Sequence, residues 1–102
     1  MSVPNVRELA RKSILGNPVR LGIMIYLLAH ERVFFKNLQN VLEISPGKLD
    51  SHLRTLKKED FITIKKIIAD RPRTVIIITE KGAVETKKYL RMLENLISKL
   101  SE

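Results

Sequence analysis

The sequence predicts a mainly α fold with a small β-hairpin, an α+β arrangement in which two short helices meet across a tight turn and a long terminal helix follows the hairpin. Three observations carry this expectation. Two cap-then-proline pairs, Asn17-Pro18 and Ser45-Pro46, open stretches of helical apolar spacing. From Phe61 the pattern changes to β-branched residues. After Thr79 apolar residues recur seven apart. With 102 residues and 44% hydrophobic content, the chain can bury one modest core and not two. Residues 1–102 are therefore expected to form a single domain: an N-terminal helix (1–16), a core (17–79) and a C-terminal helix (80–102).

The first helix rests on Asn5 followed by Glu8, a variant capping box, and on the stripe Val6, Leu9 and Ile14 that ends at Gly16. In the second, Val19, Ile23, Tyr26 and Leu27 lie at helical spacing within an almost wholly apolar run, which predicts a central, mostly buried helix. The polar break His30, Glu31, Arg32 precedes Val33 and Phe34, a pair short enough to be a strand stub. A short third helix carries Phe35, Leu38, Val41 and Leu42, and a turn spans Glu43 to Ser45. The fourth helix presents the stripe Leu49, Leu53 and Leu56.

Ile62 and Ile64 alternate with Thr63 and Lys65, and Thr74 to Thr79 forms a second strand whose run Val75 to Ile78 suits burial on both faces. Between the strands, Ala69, Asp70, Arg71, Pro72 and Arg73 make a polar, basic hairpin tip. Thr79 caps a last helix to about Leu100. There Ala83, Leu90 and Ile97, with Thr86, Leu93 and Leu100, make a heptad seam with one polar member. Such a seam calls for a partner helix. The order helix, helix, strand stub, helix, helix, strand, strand, helix is a helix-turn-helix followed by a β-hairpin, which is a winged-helix arrangement.

Three stretches carry a family resemblance: Asn17-Pro18-Val19-Arg20-Leu21, then Leu49-Asp50-Ser51-His52-Leu53-Arg54-Thr55-Leu56, then Arg71-Pro72-Arg73-Thr74 leading to Thr79-Glu80-Lys81-Gly82. In these the chain resembles winged-helix transcriptional regulators of the MarR and ArsR type, especially short prokaryotic and archaeal members. Such sequences usually carry glycine in the turn between the two short helices and after the recognition helix. This chain has Glu43 and Asp60 there. Asp tolerates a left-handed backbone better than most residues, so Asp60 is expected to end the helix, whereas Glu43 suggests a turn built differently.

Nineteen Lys and Arg against eleven Asp and Glu leave a net charge of +8, which points to a polyanionic partner. On a helical wheel Gly47, Ser51, Arg54, Thr55 and Lys58 lie opposite the leucine stripe of the fourth helix. The resemblance makes this the recognition helix, which enters the major groove of double-stranded DNA with Lys48, Asp50 and Ser51 where base contacts begin and with Ser45 and Gly47 also among the expected DNA-binding residues. Arg54 suits a guanine edge, Ser51 and Thr55 suit bases or phosphates, and Lys57 and Lys58 suit phosphates. A solvated helix face shows the same charges; the helix-turn-helix context selects DNA. Lys65, Lys66, Arg71 and Arg73, stiffened by Pro72, form the wing that the family lays along the backbone or in the minor groove. An ordinary charged hairpin is the alternative. His52 lies on the flank of the leucine stripe and is expected to hydrogen-bond within the domain.

The function expected from the resemblance is sequence-specific transcriptional regulation by a homodimer. Val6, Leu9, Leu90, Leu93, Ile97 and Leu100 are the expected dimer contacts. Rival readings are a sequence-tolerant chromatin or architectural protein and a winged helix used for protein contacts in a transcription complex. No nucleophile with a base, carboxylate pair or phosphate loop appears, so an enzyme is not expected. The absence of cysteine removes thiolate metal sites, and His30 and His52 lack further ligands, so neither metal nor cofactor is expected, and no particular small-molecule effector is indicated. The apolar run Ile23 to Ala29 falls far short of a membrane span, and a cytoplasmic location is expected.

Overall fold

A computed structural model describes residues 6–11 and 14–101. The elements run α1 (Val6–Arg11), α2 (Pro18–His30), β1 (Arg32–Phe34), α3 (Phe35–Leu42), α4 (Pro46–Lys58), β2 (Ile62–Ile68), β3 (Pro72–Ile78) and α5 (Glu80–Leu100). The capping role expected of Asn5 lies outside the described residues.

Side-chain caps start the helices where the sequence places them. The Asn17 side chain accepts from the amides of Val19 and Arg20 at 3.0 and 3.1 Å, and Pro18 occupies a position where no N–H is needed. Ser45 Oγ accepts from the Lys48 amide at 3.2 Å, again ahead of a proline. Thr79 Oγ1 accepts from the Gly82 amide at 2.9 Å and donates to the Asp60 carbonyl at 2.6 Å, joining the start of α5 to the end of α4.

Helix α4 ends in a Schellman motif built without glycine. Phe61 N–H donates to the Leu56 carbonyl and Asp60 N–H to the Lys57 carbonyl, both at 3.0 Å, with Asp60 at φ 61°. Phe61 then turns into the core, where it is 6% exposed. Glu43 ends α3 in the same left-handed region (φ 52°, ψ 47°), its amide donating to Gln39 O at 2.9 Å. The turn between α3 and α4 is therefore the one a glycine would make, and the expectation of a differently built turn is corrected: helix-end hydrogen bonding holds Glu43 where its Cβ is disfavoured. Releasing that strain is worth about 1–2 kcal/mol. The added unfolded-state freedom of glycine offsets about 0.4–1 kcal/mol of it. Glu43→Gly should thus raise stability by about 0.5–1 kcal/mol in urea denaturation, with Asp60→Gly giving less.

The sheet is antiparallel in the order β1-β3-β2, so β3 is central. That position explains its continuous apolar run: Val75 and Ile76 are buried and Ile77 and Ile78 partly so. In the core Ile23, Met24 and Leu27 of α2 meet Leu38 of α3, the α4 leucines, Phe61, Ile62, Ile76, Tyr89 and Met92. Val41, expected in the α3 stripe, is 52% exposed.

At Gly82 the first turn of α5 approaches the α4–β2 junction so closely that a Cβ would lie 2.1 Å from the Phe61 carbonyl oxygen. A backbone atom cannot swing aside as a side-chain tip can. Gly82→Ala should therefore cost about 3 kcal/mol, seen as an earlier denaturation midpoint.

The buried face of α5 is Gly82, Thr86, Tyr89, Met92 and Leu96. This corrects the simple heptad seam: Thr86 turns into the chain's own core, while Ile97 and Leu100 remain 64% and 70% exposed. Leu90 and Leu93 lie between, partly covered. Val6 on α1 is 51% exposed and Leu9 only partly covered. No helix among the described residues is long and apolar enough to cross a membrane.

Candidate nucleic-acid interface

Burying Leu49, Leu53 and Leu56 at no more than 1% exposure fixes the rotation of α4 about its axis. The opposite face then has to meet solvent. Ser45, Gly47, Lys48, Ser51, Arg54, Lys57 and Lys58 are all exposed, with Asp50 and Thr55 at the margins. The side chains singled out from the sequence on this helix thus lie on one accessible surface, and its base is held rigidly by the core.

Two contacts organise that surface. Asp50 Oδ2 accepts from Arg54 Nη2 at 2.8 Å across one helical turn. The Arg54 side chain stays 80% exposed, so its remaining guanidinium donors face outward. An exposed pair of this kind adds little stability, but it narrows the directions in which the guanidinium points. At the rear edge, Arg20 of α2 donates from Nε to the Ile14 carbonyl at 2.7 Å and reaches His52 Nδ1 with Nη1 at 3.2 Å. A guanidinium can only donate, so Nδ1 accepts and the proton of the neutral ring sits on Nε2. Partial burial, Arg20 and Lys48 all hold the His52 pKa below the usual histidine value. His52 is neutral at pH 7 and, as the sequence suggested, bonded within the fold.

The hairpin supplies the second cationic surface. Lys65, Lys66 and Arg71 are exposed. Arg73 is placed differently: it donates to both Asp70 carboxylate oxygens, at 3.0 and 3.2 Å, and its guanidinium carbon lies 4.8 Å from the centre of the Phe34 ring. The hydrogen bonds from Arg73 hold the Asp70 carboxyl below its usual range. Of the two arginines expected at the tip, Arg71 is presented outward and Arg73 braces the base of the turn.

Sequence reasoning missed the bracing roles. The spacings Asp50 to Arg54 and Asp70 to Arg73 carried a usable signal, since charges three or four apart meet in helices and tight turns. The link between Arg20 and His52 carried none, because it joins residues 32 apart. Ile68, at the hairpin end and 86% exposed, was also passed over.

Comparison with known proteins agrees with this geometry. The family model described as a winged helix DNA-binding domain matches residues 19–97. An uncharacterized protein of Methanocaldococcus jannaschii is 36% identical over 78 residues, covering 76% of this chain and 85% of that protein. The structure of a transcriptional regulator homologue from Pyrococcus horikoshii superposes with a TM-score of 0.93 at 46% identity, covering 96% of this chain and 98% of that one. A mutant of MarR from E. coli shares the fold at a TM-score of 0.75 and 16% identity, over 93% of this chain and 72% of that one.

Proposed function

The chain belongs to the winged helix DNA-binding domain family, and we propose that it is a sequence-specific transcriptional regulator of double-stranded DNA that acts as a homodimer in the cytoplasm. In this reading it has no catalytic activity of its own. Helix α4 enters the major groove and the wing follows the backbone into the adjacent minor groove. The observation that carries the reading is the two-sidedness of α4, with three leucines sealed into the core behind an accessible face of Ser51, Arg54 and Lys58.

Each residue has a role set by its chemistry. Arg54, steered by Asp50, presents paired donors to the two acceptors of a guanine edge. Ser45, Lys48, Ser51 and Thr55 complete the contacts along the groove floor and wall, and the close approach of α4 is eased by Gly47, which has no side chain. Lys57, Lys58, Lys65, Lys66 and Arg71 neutralise phosphates. Arg73, clasped to Asp70 through two donors and set over the Phe34 ring, contributes first to the shape of the wing.

The test begins with selection of bound sites from random duplexes, followed by titration of the selected and a scrambled duplex. Arg54→Ala should lose about 1–3 kcal/mol on the selected site and relax preference at one base pair, whereas Lys66→Ala should weaken both duplexes alike. Equal affinity of the unaltered protein for selected and scrambled duplexes would favour a sequence-tolerant architectural role instead.

A further inference from the structure

The most exposed large apolar side chain among the described residues is Ile68, at the far end of β2. Strand alternation places Ile62, Ile64, Lys66 and Ile68 on one face of β2. Ile62 is buried and Ile64 half-buried, on the strand against which α4 packs. Ile68 lies about 13 Å beyond Ile64 along the strand, past the reach of the core. It therefore shares the sheet face of the core residues and overhangs it. Directly across the hairpin, in register, sits exposed Pro72. The last rung of the hairpin thus carries a small exposed apolar pair, Ile68 and Pro72, just behind the polar turn of Ala69, Asp70 and Arg71, stiffened by proline and by the Asp70–Arg73 clasp, with exposed Lys66 and Arg71 close to it along the chain.

In a DNA duplex the minor groove is complementary to this combination. The groove is about 6 Å wide, too narrow for the hairpin but open to single side chains. Its walls are apolar sugar edges between two rows of phosphates, which suit an exposed apolar pair with exposed Lys66 and Arg71 close by in the chain. Aliphatic side chains delivered there at the end of a rigid element partly unstack a base step and kink the helix. Building on the DNA-binding reading above, we propose that Ile68 is an apolar wedge inserted by the wing into the minor groove beside the site read by α4. The wedge favours flexible pyrimidine–purine steps at that flank, because these open at least cost. It thereby supplies sequence preference at base pairs that no polar side chain touches.

The experiment uses the full chain and a selected duplex carrying 2-aminopurine at successive positions outside the α4 contacts, with a donor–acceptor dye pair on the duplex ends to report bending. Unaltered protein should brighten 2-aminopurine at one flanking step and shorten the end-to-end distance. Ile68→Ser should lose about tenfold or more in affinity and abolish both optical signals. It should leave the salt dependence of binding unchanged, because no cation is removed, and Ile68→Leu should restore the signals. At 86% exposure Ile68 does not support the fold, so a loss of binding is not a loss of structure. If Ile68→Ser binds as the unaltered protein does, if affinity falls with no 2-aminopurine change in either protein, or if the substitution alters only self-association, the wedge is refuted while DNA binding stands. Failure of the unaltered protein to bind any duplex overturns the DNA reading itself.

Discussion

Between about 50 and 200 mM salt, affinity for a selected duplex should fall by about three orders of magnitude. The expectation follows from which cations are available. Lys48, Lys57, Lys58, Lys65, Lys66 and Arg71 are exposed, whereas Arg54 and Arg73 are engaged by Asp50 and Asp70. If about half of the exposed set meets phosphates, a dimer makes about six contacts, and with a slope of about 0.9 per contact log K falls with log salt at about −5. Lys66→Ala, changing both protomers, should reduce the slope by nearly 2. Arg73→Ala should behave otherwise: freeing Asp70 leaves an unpaired carboxylate on the wing, so affinity falls at low salt by more than one lost contact explains. Fluorescence anisotropy titrations over this salt range check both statements, and a flat response would exclude phosphate neutralisation as the source of affinity.

Much of this architecture is legible in the sequence because its signals are local. Asn17-Pro18, Ser45-Pro46 and Thr79 mark helix starts through hydrogen bonds spanning two or three residues, and the leucine stripe alone orients α4. The strand order was not legible, since β1 pairs with β3 across some forty residues of intervening chain that hold α3, α4 and β2. Glu43 misled for a related reason. Residue preference argues against a left-handed glutamate, yet the left-handed backbone lets the Glu43 amide bond the Gln39 carbonyl and turns the chain from α3 toward α4, and that tertiary demand overrides the preference. On the hairpin, composition revealed the charges but not their engagement. The hairpin's one acid, Asp70, stands in sequence among Lys65, Lys66, Arg71 and Arg73, whereas in space it binds one of the two tip arginines and leaves the other to face outward.

Replacing Ile97 and Leu100 together by glutamate should convert the proposed dimer to monomers and cost at least two orders of magnitude in affinity for a two-half-site duplex. Helix α5 is 21 residues long, about 30 Å, and its buried face runs through Gly82, Thr86, Tyr89, Met92 and Leu96. Its last turns carry a second apolar face that the chain does not cover, in Ile97 at 64% and Leu100 at 70% exposure, next to half-covered Leu90 and Leu93. Val6 and Leu9 of α1 are likewise incompletely covered, so folding α1 onto α5 within one chain does not satisfy the seam. In the proposed homodimer a second copy related by a two-fold axis would cover both at once, since the same patch would serve both protomers. The pair would carry two α4 helices to successive major grooves, about 34–36 Å apart, and so prefer a near-palindrome. Ile97 and Leu100 are better targets than Leu93, which packs partly against its own core, because their loss leaves the protomer intact. The variant should keep its denaturation midpoint per protomer at high protein concentration only if that midpoint owes nothing to assembly; a lower, concentration-independent midpoint is therefore expected beside the unaltered protein's concentration-dependent one. Sedimentation equilibrium showing the unaltered chain to be monomeric at micromolar concentration, with the variant binding the palindrome equally well, would rule out this assembly.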